Sequence, residues 1–190
     1  YVGCDVLFLA NTDPEIQSNV LDEINPGFSV LDTMDYWIQN KRDDLEGVLS
    51  RVDLAVINDG EARMYCDTPN LVSAGEMLVE SCPRVIIKKG EHGSLFFSKD
   101  TFFSLPAYPL KRVYDPTGAG DSFAGATAGH LVKHSDVGDD AIKKSMVCGA
   151  VVASYAVEDF SVEGLLNIDS KGIKNRYALM RRQVAFDHKL

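Results

Sequence analysis

Basic residues are in short supply in this chain. Nineteen Lys and Arg stand against 28 Asp and Glu, leaving a formal net charge of −9 over 190 residues. Nucleic-acid binders need clustered cations to displace counterions from phosphates, so the deficit argues against nucleic acid as a partner, and equally against an anionic membrane surface. A small anionic ligand stays open, because one pocket can be positive inside an acidic protein. Cysteine is sparse too. Cys4, Cys66, Cys82 and Cys148 form no C-x-x-C pair, which excludes a disulfide framework or a zinc site and implies reduced thiols in a cytoplasmic setting. Long apolar runs are missing. The most apolar stretch, "MVCGAVVASYAV" from Met146 to Val157, is too short to span a bilayer and is expected to be a buried helix. Repeats, low-complexity segments and linkers are absent, so residues 1–190 are expected to form a single domain. The opening "YVGCDVLFLA" has no Met and no polar lead-in, and the expectation is that a further portion precedes it.

What is present is a regular alternation. Apolar segments "CDVLFLA", "FSVLDTM", "DLAVIND" and "RVIIKKG" read as strands, and the stretches between them carry helical spacing. Thr12 or Asp13 can cap the first helix, with Pro14 suited to its first turn. Strands of this kind predict an α/β fold, a mostly parallel sheet covered by helices on both faces. Ligands in such sheets bind at the carboxyl ends of the strands. The polar clusters Thr12-Asp13, Asp32-Thr33, Asn58 to Glu61 and Lys88 to Gly93 fall there. "SLFFSKDTFFSLPAY" then alternates about a turn at Lys99-Asp100, as a hairpin would. Helices are expected from about Ala119 to His134 and from Asp140 to about Val157. The basic tail "KNRYALMRRQ" reads as a solvated terminal helix.

The chemistry concentrates in "DPTGAGD", Asp115 to Asp121. Gly118 and Gly120 free the backbone, and the amides of Gly118, Ala119, Gly120 and Asp121 are expected to face one concavity at a helix start, a site that favours anions. No Lys-Ser/Thr follows, so this is not a Walker A loop. Phe123 breaks the dinucleotide fingerprint. Asp121 could simply cap the helix. A cap does not require two glycines just before it, however, and an acid beside an anion cradle suits phosphoryl transfer: the amides hold the transferring group and the carboxylate takes the proton of an attacking hydroxyl.

The stretch "DPTGAGDSFAGA", Asp115 to Ala126, resembles the C-terminal signature of the ribokinase/PfkB carbohydrate-kinase family. The resemblance implies a ribokinase-like fold, a Rossmann-like relative of the doubly wound sheets. It also implies that Gly118, Ala119 and Gly120 form the anion hole and that Asp121 is the catalytic base. "NDGE" is similar to the family's N-x-x-E motif, which makes Asn58 and Glu61 candidates to place magnesium. A hard cation wants such oxygen ligands. "KKGEHG" is similar to the turn that contacts nucleotide phosphates. Gly90 and Gly93 shape it and Lys89 is the candidate to offset triphosphate charge, with Lys88 not separable from it by sequence. Gly149 lies where the family packs adenine, although close helix packing explains a small residue equally well. Asp115 and Thr117 match the place where the family often holds a monovalent cation such as potassium, and Thr117 is counted with the nucleotide site.

The implied function is transfer of the ATP γ-phosphoryl group to a hydroxyl of a small sugar-like acceptor. A nucleoside or inositol kinase, or a nucleotide-binding fragment without catalysis, are the alternatives. The family's acceptor-binding aspartate, Gly-Gly element and β lid, through which its members commonly form a homodimer, have no counterpart in these 190 residues. Asp32 is balanced between a phosphate or metal contact and a strand-end cap. His130 and His134 lack a third ligand, and the helix dipole accounts for them without zinc.

Overall fold

The apolar runs become strands buried on both faces, and that decides the layering. The computed structural model describes residues 2–185. Six strands form one sheet in the order β1-β2-β3-β4-β5-β6. β1 (Leu7–Leu9), β2 (Ser29–Asp32), β3 (Leu54–Asn58) and β4 (Arg84–Lys88) run parallel. β5 (Ser94–Ser98) and β6 (Phe102–Leu105) complete the edge antiparallel, joined by the expected hairpin turn.

Side-chain alternation along the strands sends neighbours to opposite layers. Leu31, Ala55, Ile57, Val85 and Ile87 enter one core. It is closed by α1 (Pro14–Ile24), α2 (Asp35–Asn40), α3 (Arg42–Leu49), α4 (Asp59–Cys66) and α5 (Leu71–Leu78). Val30, Leu54, Val56, Ile86 and Phe96 enter a second core. There they meet α6 (Ala119–His134), α7 (Asp139–Ala156) and α9 (Ser170–Gln183), with the short α8 (Glu163–Leu166) between the last two in sequence. Helices thus cover both faces of the sheet, as the sequence implied. Each fully buried Leu or Ile contributes roughly 1.5–3 kcal/mol.

Local signals set the helix ends. Asp13, not Thr12, caps α1 by accepting the Glu15 amide at 3.0 Å, with Pro14 in the first turn. α6 starts at Gly118, whose φ of 75° an L side chain would strain, and ends at Ser135 in the left-handed region. Three segments differ from expectation. β2 stops at Asp32 and the chain turns into α2, which carries Ile38 and Trp37 back onto the first core. α8 was not foreseen. The basic tail is not solvated all round: Ile173, Tyr177 and Met180 form an apolar stripe at helical spacing that packs onto the second core. Among the described residues no helix is long and apolar enough to cross a membrane.

Candidate active site

Three parallel strands end side by side in polar residues. Asp32 closes β2, Asn58 closes β3 and Lys88 closes β4, with Asn58 and Lys88 paired in register. Each lies two residues beyond a second-core residue, Val30, Val56 or Ile86, so all three fall on the α6 side of the sheet. α6 delivers its N-terminus there. Lys88 Nζ lies 3.0 Å from Asp32 Oδ1, and a Cβ on Gly120 would come within 3.3 Å of the same ammonium. Burial raises the Asp32 carboxyl above its usual range, and the nearby charge of Asp121 adds to that, while Lys88 opposes it.

The glycine-rich entrance is built from its backbone upward. The amides of Tyr114 and Asp115 donate to the Val157 carbonyl at 2.7 and 3.4 Å, tying the motif to the end of α7. Asp115 accepts the Thr117 amide at 2.9 Å, which holds its carboxyl below the usual range and starts the turn into Gly118. The Ala119 amide donates to Pro116 O at 3.2 Å. This corrects the expectation that four amides face the cradle. Those of Gly118, Gly120 and Asp121 have no intramolecular acceptor among the described residues, and with the helix dipole they remain available to an anion. Asp121 sits exposed in the first turn of α6.

Asn58 and Glu61 form a reciprocal capping box at the start of α4. The Glu61 amide donates to Asn58 Oδ1 at 2.8 Å, and the Asn58 amide donates to Glu61 Oε2 at 2.7 Å. Burial pushes the Glu61 carboxyl up to about 7, against the pull of the Asn58 amide and Lys88. Thr33, next to Asp32, has a buried hydroxyl without a hydrogen-bond partner. The donor set suits a hard cation of the magnesium type, which uses one or two carboxylates and completes its shell with water and phosphate oxygens. Asp32 and Glu61 are the buried carboxylates that could offer oxygens to it. Asp115, which the resemblance linked to a monovalent cation and not to magnesium, accepts from the amide and the side chain of Thr117 and from the Ser161 amide. The described residues contain no group of three or more His, Cys, Asp or Glu arranged to hold a metal.

The turn after β4 separates roles that sequence left merged. Lys88, not Lys89, reaches the α6 entrance; no ion pair involves Lys89 among the described residues. Gly93 is required by the hairpin, since at φ 84° a Cβ would stand 2.0 Å from the Leu105 carbonyl oxygen. Gly90, at φ 55°, has open space where its Cβ would be. Gly149 is buried at the α6–α7 crossing, where a Cβ would meet Thr127 Oγ1 at 2.5 Å and Phe123 O at 2.8 Å, so close packing by itself calls for a residue without a side chain there. His130 and His134 stack 4.3 Å apart, and His130 Nδ1 meets Ser145 Oγ at 2.9 Å. All four cysteines are free thiols.

A mixed α/β sheet whose strand ends converge on a glycine-rich helix entrance, lined by carboxylates and one lysine, defines the class of phosphate-handling α/β proteins. The comparisons with known proteins narrow the class. Residues 25–164 match the model of the pfkB family carbohydrate kinases, and the chain belongs to that family. It is 30% identical over 131 residues to a cytidine kinase of Thermococcus kodakarensis, an alignment covering 66% of this chain and 47% of that protein. The chain therefore spans less than half the length of that relative. Its fold matches the crystal structure of a Methanocaldococcus jannaschii nucleoside kinase, a member of the ribokinase family, with a TM-score of 0.76 at 22% identity over 92% of this chain and 56% of that one. It also matches an aminoimidazole riboside kinase from Salmonella enterica, solved with aminoimidazole riboside and an ATP analogue. That match has a TM-score of 0.74 at 16% identity and covers 93% of this chain and 63% of that one.

Proposed function

We propose that this chain carries the nucleotide-binding and catalytic-base machinery of a kinase that transfers the γ-phosphoryl group of ATP to a hydroxyl of a small sugar or nucleoside. One observation carries the reading: Asp121 stands in the first turn of α6 beside the free amides of Gly118, Gly120 and its own, with Lys88 against the same turn. Asp121 accepts the proton of the acceptor hydroxyl as it attacks. The amides and the helix dipole stabilise charge on the transferring group, which is where such reactions need help. Magnesium, held through Asp32 and Glu61, would supply neutralisation of phosphate charge. Family membership and the nucleoside and riboside kinases among its relatives support the acceptor class.

The test is to incubate the protein with Mg-ATP and a panel of sugars and nucleosides and to follow acceptor-dependent ADP release. Asp121→Asn keeps the helix start and loses the base, so turnover should fall by about 10²–10⁴-fold with little change in ATP affinity. Unchanged turnover in Asp121→Asn would refute the assigned base. ATP binding with no turnover on any acceptor would favour the binding module without catalysis.

A further inference from the structure

The lysine at the α6 entrance is already committed to a carboxylate, and this bears on how the site is loaded. The Lys88–Asp32 pair is largely withdrawn from water, with side chains 16% and 5% exposed and Nζ 3.0 Å from Oδ1. Asp32 also lies near the charges of Asp121 and, through Glu61, near a second buried carboxyl. A buried carboxylate in such company needs a cation beside it, because breaking a buried pair without a replacement leaves an uncompensated charge. Lys88 supplies that cation. Its ammonium also rests against Gly120, on the helix turn whose amides are free for an anion. Nζ thus stands 3.0 Å from Asp32 Oδ1 and 3.3 Å from where a Gly120 Cβ would be, and Lys is the side chain whose point charge suits both a carboxylate and a phosphate.

We propose that Lys88 is an exchangeable counter-ion. It neutralises Asp32 in the metal-free protein and, once Asp32 is engaged by a divalent cation, turns to the nucleotide phosphates at the α6 entrance. Cation and phosphate loading are thereby coupled through one side chain. The coupling is reciprocal, as any linkage between two binding events must be. Lys88 acts here as a positioning residue, and the proposal rests on the phosphoryl-transfer reading of the site. It follows that Lys88 and a divalent cation compete for Asp32, whereas Lys88 and nucleotide cooperate.

The two arms have opposite signs, and neither needs turnover. Free Mn²⁺ is titrated by electron paramagnetic resonance with no nucleotide present, and ATP is titrated calorimetrically in excess chelator. Relative to the unsubstituted protein, Lys88→Met should bind Mn²⁺ tighter and metal-free ATP more weakly, each on the order of ten-fold for loss of a charged hydrogen bond. Lys89→Met, which also removes one positive charge but not from Asp32, should leave Mn²⁺ affinity unchanged. The proposal is overturned if Lys88→Met leaves Mn²⁺ binding unaltered or weaker, or if Lys89→Met tightens it equally, which would reduce the effect to diffuse charge. Should Lys88→Met melt markedly lower, Lys88→Gln repeats the titrations with a neutral side chain that still donates to Asp32. Failure of the kinase reading would appear separately, as absent acceptor-dependent ADP release with the Mn²⁺ result intact.

Discussion

At the scale of single residues, the site is held by groups whose ionisation the fold has altered. Glu61 is the clearest. Its carboxyl is 6% exposed and burial pushes it up to about 7, from an ordinary value of 4.5. Between those two pH values the folded protein binds a proton at Glu61 that the unfolded chain has released. Stability from this group is therefore full below about 4.5, declines as pH rises, and is lost above about 7. The size is roughly 3 kcal/mol. Glu61→Gln removes the titration and keeps an oxygen for the Asn58 amide. Denaturant unfolding at a series of pH values should show the parent losing stability relative to Glu61→Gln as pH rises from about 5 to about 7, so that the variant becomes the more stable of the two. A parallel pair of curves would mean that Glu61 titrates normally. The residues themselves were partly legible in advance. Asp121, Gly118 and Gly120 stood out through their spacing, and the Asn58/Glu61 pair through the motif it resembles. Lys88 could have been chosen over Lys89 from period-two alternation alone, since Ile86 and Lys88 share a face and that face carries α6. What sequence could not supply was the Asp32 partner, because the two residues are 56 apart and meet only across the sheet.

At the scale of elements, two glycines on α6 and α7 show why composition misleads. Gly149 and Gly129 both sit inside helices, where Ala is favoured over Gly by about 1 kcal/mol. Gly149 faces Thr127 Oγ1 and the Phe123 carbonyl at distances no Cβ tolerates, whereas Gly129 has nothing within 4 Å of a would-be Cβ. Gly149→Ala should thus force the crossing apart at a cost of about 1–3 kcal/mol, outweighing its propensity gain. Gly129→Ala should stabilise by about 1 kcal/mol. Thermal melts of the two variants should move in opposite directions, and a rise in both would show that the crossing is loose enough to absorb a methyl. Elements with strong periodicity, β3 and α6 among them, were legible almost to the residue. α2 and α9 were not. "DYWIQN" is six residues long and contributes one fully buried side chain, Ile38, while the apolar stripe of α9 is spread through a basic segment. Their structure comes from the cores they close and not from local preference.

At the scale of the whole molecule, one sheet serves two cores, and this sets how the protein should unfold. Adjacent residues of one strand, Ile86 and Ile87, belong to opposite layers, so neither layer can lose its packing without stripping a face from the strands that hold the other. The active-site candidates sit on that shared sheet, at the ends of β2, β3 and β4, and depend on both layers: α4 and its capping box from one side, α6 from the other. Leu45→Ala in the first core and Met146→Ala in the second each remove a fully buried side chain and should each cost about 2–5 kcal/mol. Because the sheet is common, both should lower one and the same transition. Trp37, packed on the first core, makes this testable with the single tryptophan of the chain. Its fluorescence midpoint in urea should fall in Met146→Ala as far as the far-ultraviolet circular dichroism midpoint does, although Met146 lies across the sheet. A Trp37 transition that stays put while the α6–α7 layer melts early would show two independently stable halves, and the glycine-rich α6 entrance could then be lost while the Asn58/Glu61 side remained folded.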